Sequence, residues 1–73
     1  MPFSKRLREY RYKRSLTQQS MADILGISLR GYQFYEQGVS EPSISMLVLI
    51  ANTLDVSLDI LLCRDEQQTN DIK

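Results

Sequence analysis

The chain contains no histidine and a single cysteine, Cys63. An intrachain disulfide is therefore excluded, and the His/Cys clusters that usually hold zinc are missing. Long apolar runs are absent as well. The longest, Met46 to Ala51, has six residues, where a membrane-spanning helix needs about 18 or more. The first nine residues already carry charges and hold no apolar stretch of the kind a secretory signal requires. The expectation is a cytoplasmic protein with no membrane association. There is no alternation of apolar and polar residues that would mark a strand, no internal repeat and no glycine-rich phosphate loop. Paired carboxylates on one helix face are lacking too, and 73 residues leave little room for a substrate cavity. These absences point away from an enzyme and from any cofactor.

What the chain does have is a separation of charge. Its net charge is zero and its pI about 6.1, which as a bulk value is unlike a nucleic-acid binder. Residues 1 to 30, however, carry Lys5, Arg6, Arg8, Arg11, Lys13, Arg14 and Arg30 against Glu9 and Asp23, a balance of +5. Residues 31 to 73 carry Arg64 and Lys73 against seven acidic residues, a balance of −5. A molecule polarised in this way is both attracted to phosphates and oriented by them. A basic, solvated helix face without a partner would look the same.

Helical periodicity organises the rest. Phe3, Leu7 and Tyr10 recur at helical spacing from Ser4 to about Arg14. Thr17 is a suitable N-cap for a short second helix with Met21, Ala22 and Leu25 on one face, closed by Gly26. Ser28 caps a third helix with Tyr32 and Tyr35 inward, ended by Gly38. Ser43 or Pro42 opens a fourth, in which Ile44, Leu47, Ile50, Ala51 and Leu54 face inward, and Ser57 caps a fifth from Leu58 to Leu62. The predicted architecture is all-α: a compact five-helix bundle over residues 1–63, followed by a polar, flexible tail over 64–73. Cys63, near Asp65 and Glu66, reads as a half-buried apolar residue rather than a redox sensor, because acidic neighbours disfavour a thiolate.

Between Thr17 and Gly38 two short helices are joined only by Gly26, Ile27 and Ser28. So brief a connection forbids an antiparallel pair and requires a steep crossing, the geometry of a helix-turn-helix. The segments LTQQSMADILGIS, YEQG and EPSISMLVLIANTLDVSLDILL, in this order and at these gaps, resemble the phage-repressor-like (Cro/CI, XRE) transcriptional regulators over roughly residues 4 to 62. The resemblance implies a lambda-repressor-like fold. It also implies a sequence-specific DNA-binding regulator, a repressor, that reads the major groove with the helix at about 28–37.

Residue by residue, the resemblance makes Thr17 and Gln18 phosphate anchors at the start of helix 2, with Ser28 in a similar place on helix 3. Thr17 and Ser28 serve equally as plain N-caps. If Tyr32 and Tyr35 point inward, Leu29, Arg30, Gln33 and Phe34 point outward and become the base-reading candidates. Arg30 suits guanine, Gln33 suits adenine or a phosphate, and Leu29 and Phe34 suit thymine methyl groups. Gly31 lies inside the helix, either to admit the DNA backbone or without function. Arg6, Arg8 and Lys13 are the backbone contacts expected from helix 1. Arg11 and Glu36 occupy positions where the family often carries a pair linking helix 1 to helix 3; two independent surface charges are the other reading.

Apolar residues exceed what so small a core needs, and Met46, Leu49, Leu58, Ile60 and Leu61 are the candidates for a homodimer interface. A two-fold dimer would bind a palindromic stretch of double-stranded operator DNA, with assembly in some cases only on the DNA. Scattered surface hydrophobes would also account for the excess. An alternative is an antitoxin or adaptor whose main partner is another protein.

Overall fold

A Ser or Thr stands immediately before four of the five helices, and in each case its hydroxyl accepts the backbone N–H three residues on. Thr17 takes that of Ser20, Ser28 that of Gly31, Ser43 that of Met46 and Ser57 that of Ile60, at 3.0 to 3.2 Å. Each cap satisfies a donor the helix cannot satisfy itself and contributes about 0.5–2 kcal/mol. The computed structural model describes residues 2–62, and the helices are α1 (Pro2–Lys13), α2 (Gln18–Leu25), α3 (Leu29–Gln37), α4 (Ile44–Leu54) and α5 (Leu58–Leu61). Cys63 and the segment 64–73 lie outside the described residues. Helix α1 begins two residues earlier than the apolar stripe indicates, with Pro2 in the first position, where its fixed φ and missing N–H cost nothing.

The first four helices close in the same way, each with one residue in the left-handed region: Ser15 (φ 58°), Gly26 (73°), Gly38 (77°) and Asp55 (59°). In each case the next amide reaches back to a carbonyl five residues earlier: Leu16 to Arg11, Ile27 to Ala22, Val39 to Phe34 and Val56 to Ala51. Leu16, Ile27 and Val56 then turn onto the core, the apolar contact that accompanies this closure. Glycine adopts the conformation freely, whereas Ser15 and Asp55 hold it at a cost of about 1–2 kcal/mol each.

Phe3 and Leu7 of α1, Met21, Ala22 and Leu25 of α2, Tyr32 of α3, Ile50, Ala51 and Leu54 of α4 and Leu61 of α5 form one buried cluster. Tyr35, Leu47, Met46 and Leu58 are partly buried against it. Two expectations are corrected here. Ile44 is 77% exposed: as the first residue of α4 it precedes the point where the helix meets the core. Leu61, an interface candidate, is fully buried in the single chain and offers no surface to a second copy. Among the described residues there is no strand, and no helix is long and apolar enough to cross a membrane.

Candidate nucleic-acid interface

The start of α2 and the outer face of α3 meet around one buried carboxylate. Glu36 points inward from α3, and its Oε2 lies 2.5 Å from Arg11 Nε, with the two side chains 3% and 8% exposed. Arg11 Nη2 donates to Oε1 at 3.3 Å, the Tyr32 hydroxyl to Oε2 at 2.5 Å and Gln18 Nε2 to Oε1 at 2.9 Å. Burial alone would raise the Glu36 carboxyl, but the hydrogen bonds from Arg11, Tyr32 and Gln18 outweigh it and hold the group below the usual carboxylate range. Burial, and then the bond to Glu36, push the Tyr32 hydroxyl upward. Arg11 also donates through Nη1 to the Leu16 carbonyl at 2.9 Å, so one guanidinium ties α1 to α3 and to the turn before α2.

Gln18 carries the network outward. Its Oε1 accepts from Gln33 Nε2 at 3.1 Å, which joins a phosphate-anchor candidate to a base-reading candidate. Along α3, Leu29 and Arg30 are exposed, Gln33 and Phe34 are half-buried and Tyr32 is buried. The Arg30 side chain makes no hydrogen bond or ion pair with the described residues. A Cβ built on Gly31 would lie 3.2 Å from Ser28 Oγ, close enough to crowd the hydroxyl that caps α3.

A shallow groove of about 630 Å³ runs along the start of α2, and Thr17, Gln18 and Leu29 line it together with Tyr12 and Ser15. Tyr12 was not singled out by the sequence. It is 67% exposed, and the guanidinium carbon of Arg11 lies 4.6 Å from its ring centre. Its signal was its place just outside the apolar stripe of α1, next to an arginine.

The basic residues of α1 and of the turn that follows it do not form one open face. Arg6 Nη1 donates to the Ile60 carbonyl at 2.7 Å and Arg8 Nη1 to the Glu36 carbonyl at 2.6 Å. Arg14 donates to the carbonyls of Leu54 at 2.8 Å and Asp55 at 3.3 Å. These acceptors lie in the last turns or caps of α5, α3 and α4, where helix carbonyls lack partners of their own and the helix dipole favours a cation. Arg6 thus faces α5 while Arg8 faces α3, so the two sit on different flanks of α1. Lys13 is exposed, with its ammonium 4.9 Å from the Tyr10 ring centre. Arg8 and Lys13 remain exposed at the surface, whereas Arg6 is partly covered.

The helix-turn-helix family profile matches residues 7–61. The chain is 52% identical over 60 residues to the uncharacterized HTH-type transcriptional regulator YqaE of Bacillus subtilis, covering 82% of this chain and 52% of that protein. It is 45% identical to the SPbeta prophage-derived uncharacterized HTH-type transcriptional regulator YonR of the same organism, covering 82% of this chain and 56% of that one. Its identity to the cryptic phage CTXphi transcriptional repressor RstR of Vibrio cholerae is 42%, over 93% of this chain and 63% of that protein. The chain therefore spans between half and two thirds of the length of these relatives. No solved structure matches it. With two capped helices crossing over a three-residue turn, and with the profile running from α1 through α5, the chain belongs to the XRE-type helix-turn-helix family of transcriptional regulators.

Proposed function

We propose that this chain is the DNA-reading part of a transcriptional repressor, placing α3 in the major groove and the start of α2 against the phosphate backbone. The observation that carries the reading is the outer face of α3, which holds Leu29, Arg30, Gln33 and Phe34, with Leu29 and Gln33 beside Gln18, on a helix fixed from behind by Glu36 and Arg11. A reading helix must hold its position to within a fraction of an ångström, and a buried charge-assisted fork provides that restraint. One relative is named as a transcriptional repressor, which supports repression over activation. Thr17, Gln18 and Ser28 would meet phosphates, with Arg8 and Lys13 adding charge at the edge and Arg6 contributing less because it is engaged with α5. The protein acts in the cytoplasm as a binding module without catalysis.

Two copies would bind a palindromic operator with their α3 helices about 34 Å apart. Leu49, 39% exposed on the outer side of α4, and the half-buried Ile60 are the interface candidates best placed for a partner, with Met46 and Leu58 contributing their exposed edges.

The test is selection of bound duplexes from random DNA, followed by affinity measurements at several salt concentrations. Specific binding should weaken with a slope of about −0.9 in log K against log salt per phosphate contact. Arg30→Ala should cost about 1–3 kcal/mol and relax one base position. No affinity for any duplex at low salt would overturn the reading and favour a protein partner.

A further inference from the structure

Four hydrogen-bond donors converge on the Glu36 carboxylate, and one of them determines which way the amides beyond it must face. An ionised carboxylate only accepts. Gln18 must therefore turn its NH2 group inward to Glu36 Oε1, at 2.9 Å. Its oxygen is left facing Gln33, so Gln33 must in turn present NH2 to Gln18, at 3.1 Å. An amide is free to turn over when its neighbours are ambivalent, but here the direction is imposed from a buried, doubly held anion. What remains on Gln33 for a ligand is Oε1 and the second N–H, one acceptor beside one donor.

That pair complements adenine in the major groove, whose N6–H donates and whose N7 accepts. Guanine offers two acceptors there, O6 and N7, and would call for both N–H groups of Gln33, one of which is already committed. We propose that Glu36 is a positioning residue for base readout, fixing the Gln33 amide through Gln18 so that Gln33 reads adenine and rejects guanine at one position of the site. This rests on the proposed function, since it presupposes that α3 enters the major groove. It also changes the role of Gln18: besides meeting a phosphate, that side chain relays the polarity of a buried charge to a base.

The experiment compares base preferences of the wild-type chain, Gln33→Ala, Gln18→Met and the double variant by selection from random duplexes. Circular dichroism melting confirms that each is folded at the binding temperature. Wild type should favour adenine at one position per half-site, with guanine there raising Kd roughly 5- to 150-fold. Gln33→Ala should flatten that position. Gln18→Met, which keeps the bulk and removes the relay, should flatten the same position and leave the others intact, and the double variant should go no further than Gln33→Ala. Glu36→Gln, assayed below its own melting temperature, lets Gln18 turn over and should admit guanine. The inference is overturned if Gln18→Met retains the adenine preference that Gln33→Ala loses, or if Gln33→Ala weakens all sequences equally, as a phosphate contact would. Both of those results leave DNA binding standing. A wild-type chain that selects no sequence at all removes the functional reading itself.

Discussion

Removing the carboxylate of Glu36 while leaving Arg11 in place should be the most damaging single change to the fold. Glu36→Ala strands a guanidinium that is 8% exposed, and breaking a buried pair by deleting one partner costs about 3–5 kcal/mol. The Tyr32 hydroxyl and the Gln18 amide lose their acceptor at the same time. A chain of this size has about 4–11 kcal/mol in total, at roughly 0.05–0.15 kcal/mol per residue. The variant should therefore keep only a fraction of its stability, and at about 4 °C or more per kcal/mol its melting temperature should fall by at least ~12 °C. Arg11→Met in combination with Glu36→Leu should behave very differently, because replacing both charges with apolar groups is often nearly neutral. What the double variant still lacks is a partner for the buried Tyr32 hydroxyl, about 1–3 kcal/mol, and adding Tyr32→Phe should recover part of that. Urea unfolding of the singles, the double and the triple measures each term. If Glu36→Ala loses less than ~1 kcal/mol, or if the double is as unstable as the sum of the singles, the fork is not what holds α3 to α1.

The pair also fixes how stability follows pH. Glu36 is held below its ordinary 4.5 in the folded chain, so its contribution is complete above that value and is lost as pH falls through the folded pKa; the acid limb should flatten in the Arg11→Met/Glu36→Leu variant. Tyr32 is raised above its ordinary 10.0, so its contribution is present below pH 10 and declines above it, and Tyr32→Phe should reduce the alkaline loss seen in a melting series. Assembly is tested by sedimentation with and without a selected palindromic duplex, where Ile60→Asp or Leu49→Asp should lower the cooperativity of binding. Unchanged stoichiometry and cooperativity in both would place the contact elsewhere or make the binding unit a monomer.

The helix boundaries were legible because local chemistry sets them. Thr17, Ser28, Ser43 and Ser57 sit where a side-chain oxygen is needed, and Gly26 and Gly38 where the backbone turns left-handed. Ser15 and Asp55 take the same conformation without being glycine, so neither turn is marked as plainly. Periodicity separated the buried Tyr32 from the exposed Arg30, yet it misjudged Ile44, since it reports the phase of a helix and not where a neighbour begins and ends; Leu61 was misplaced by counting apolar residues, which does not say which of them the core takes. The partners of the arginines were beyond it altogether. Which carbonyl Arg6 or Arg14 meets depends on packing between helices some 40 to 54 residues apart in sequence, and nothing in the spacing of charges encodes that. The link from Gln18 to Gln33 was hidden for the same reason, although both residues were named.

Arg6 and Arg8 of α1, with Arg14 just beyond it, also bear on how the chain closes as it is made. Their acceptors emerge in two instalments: Glu36 follows Arg8 by 28 residues, whereas Leu54 follows Arg14 by 40 and Ile60 follows Arg6 by 54. At a synthesis rate of roughly 5–20 residues per second, the last of these arrives about 3–11 s after Arg6 itself. On the ribosome, then, α1 leaves the tunnel before α2 to α5 and is the last of the five to be fully secured. A released chain truncated before Leu54 would keep Glu36 for Arg8 and Arg11 but hold no acceptor for Arg14 or Arg6.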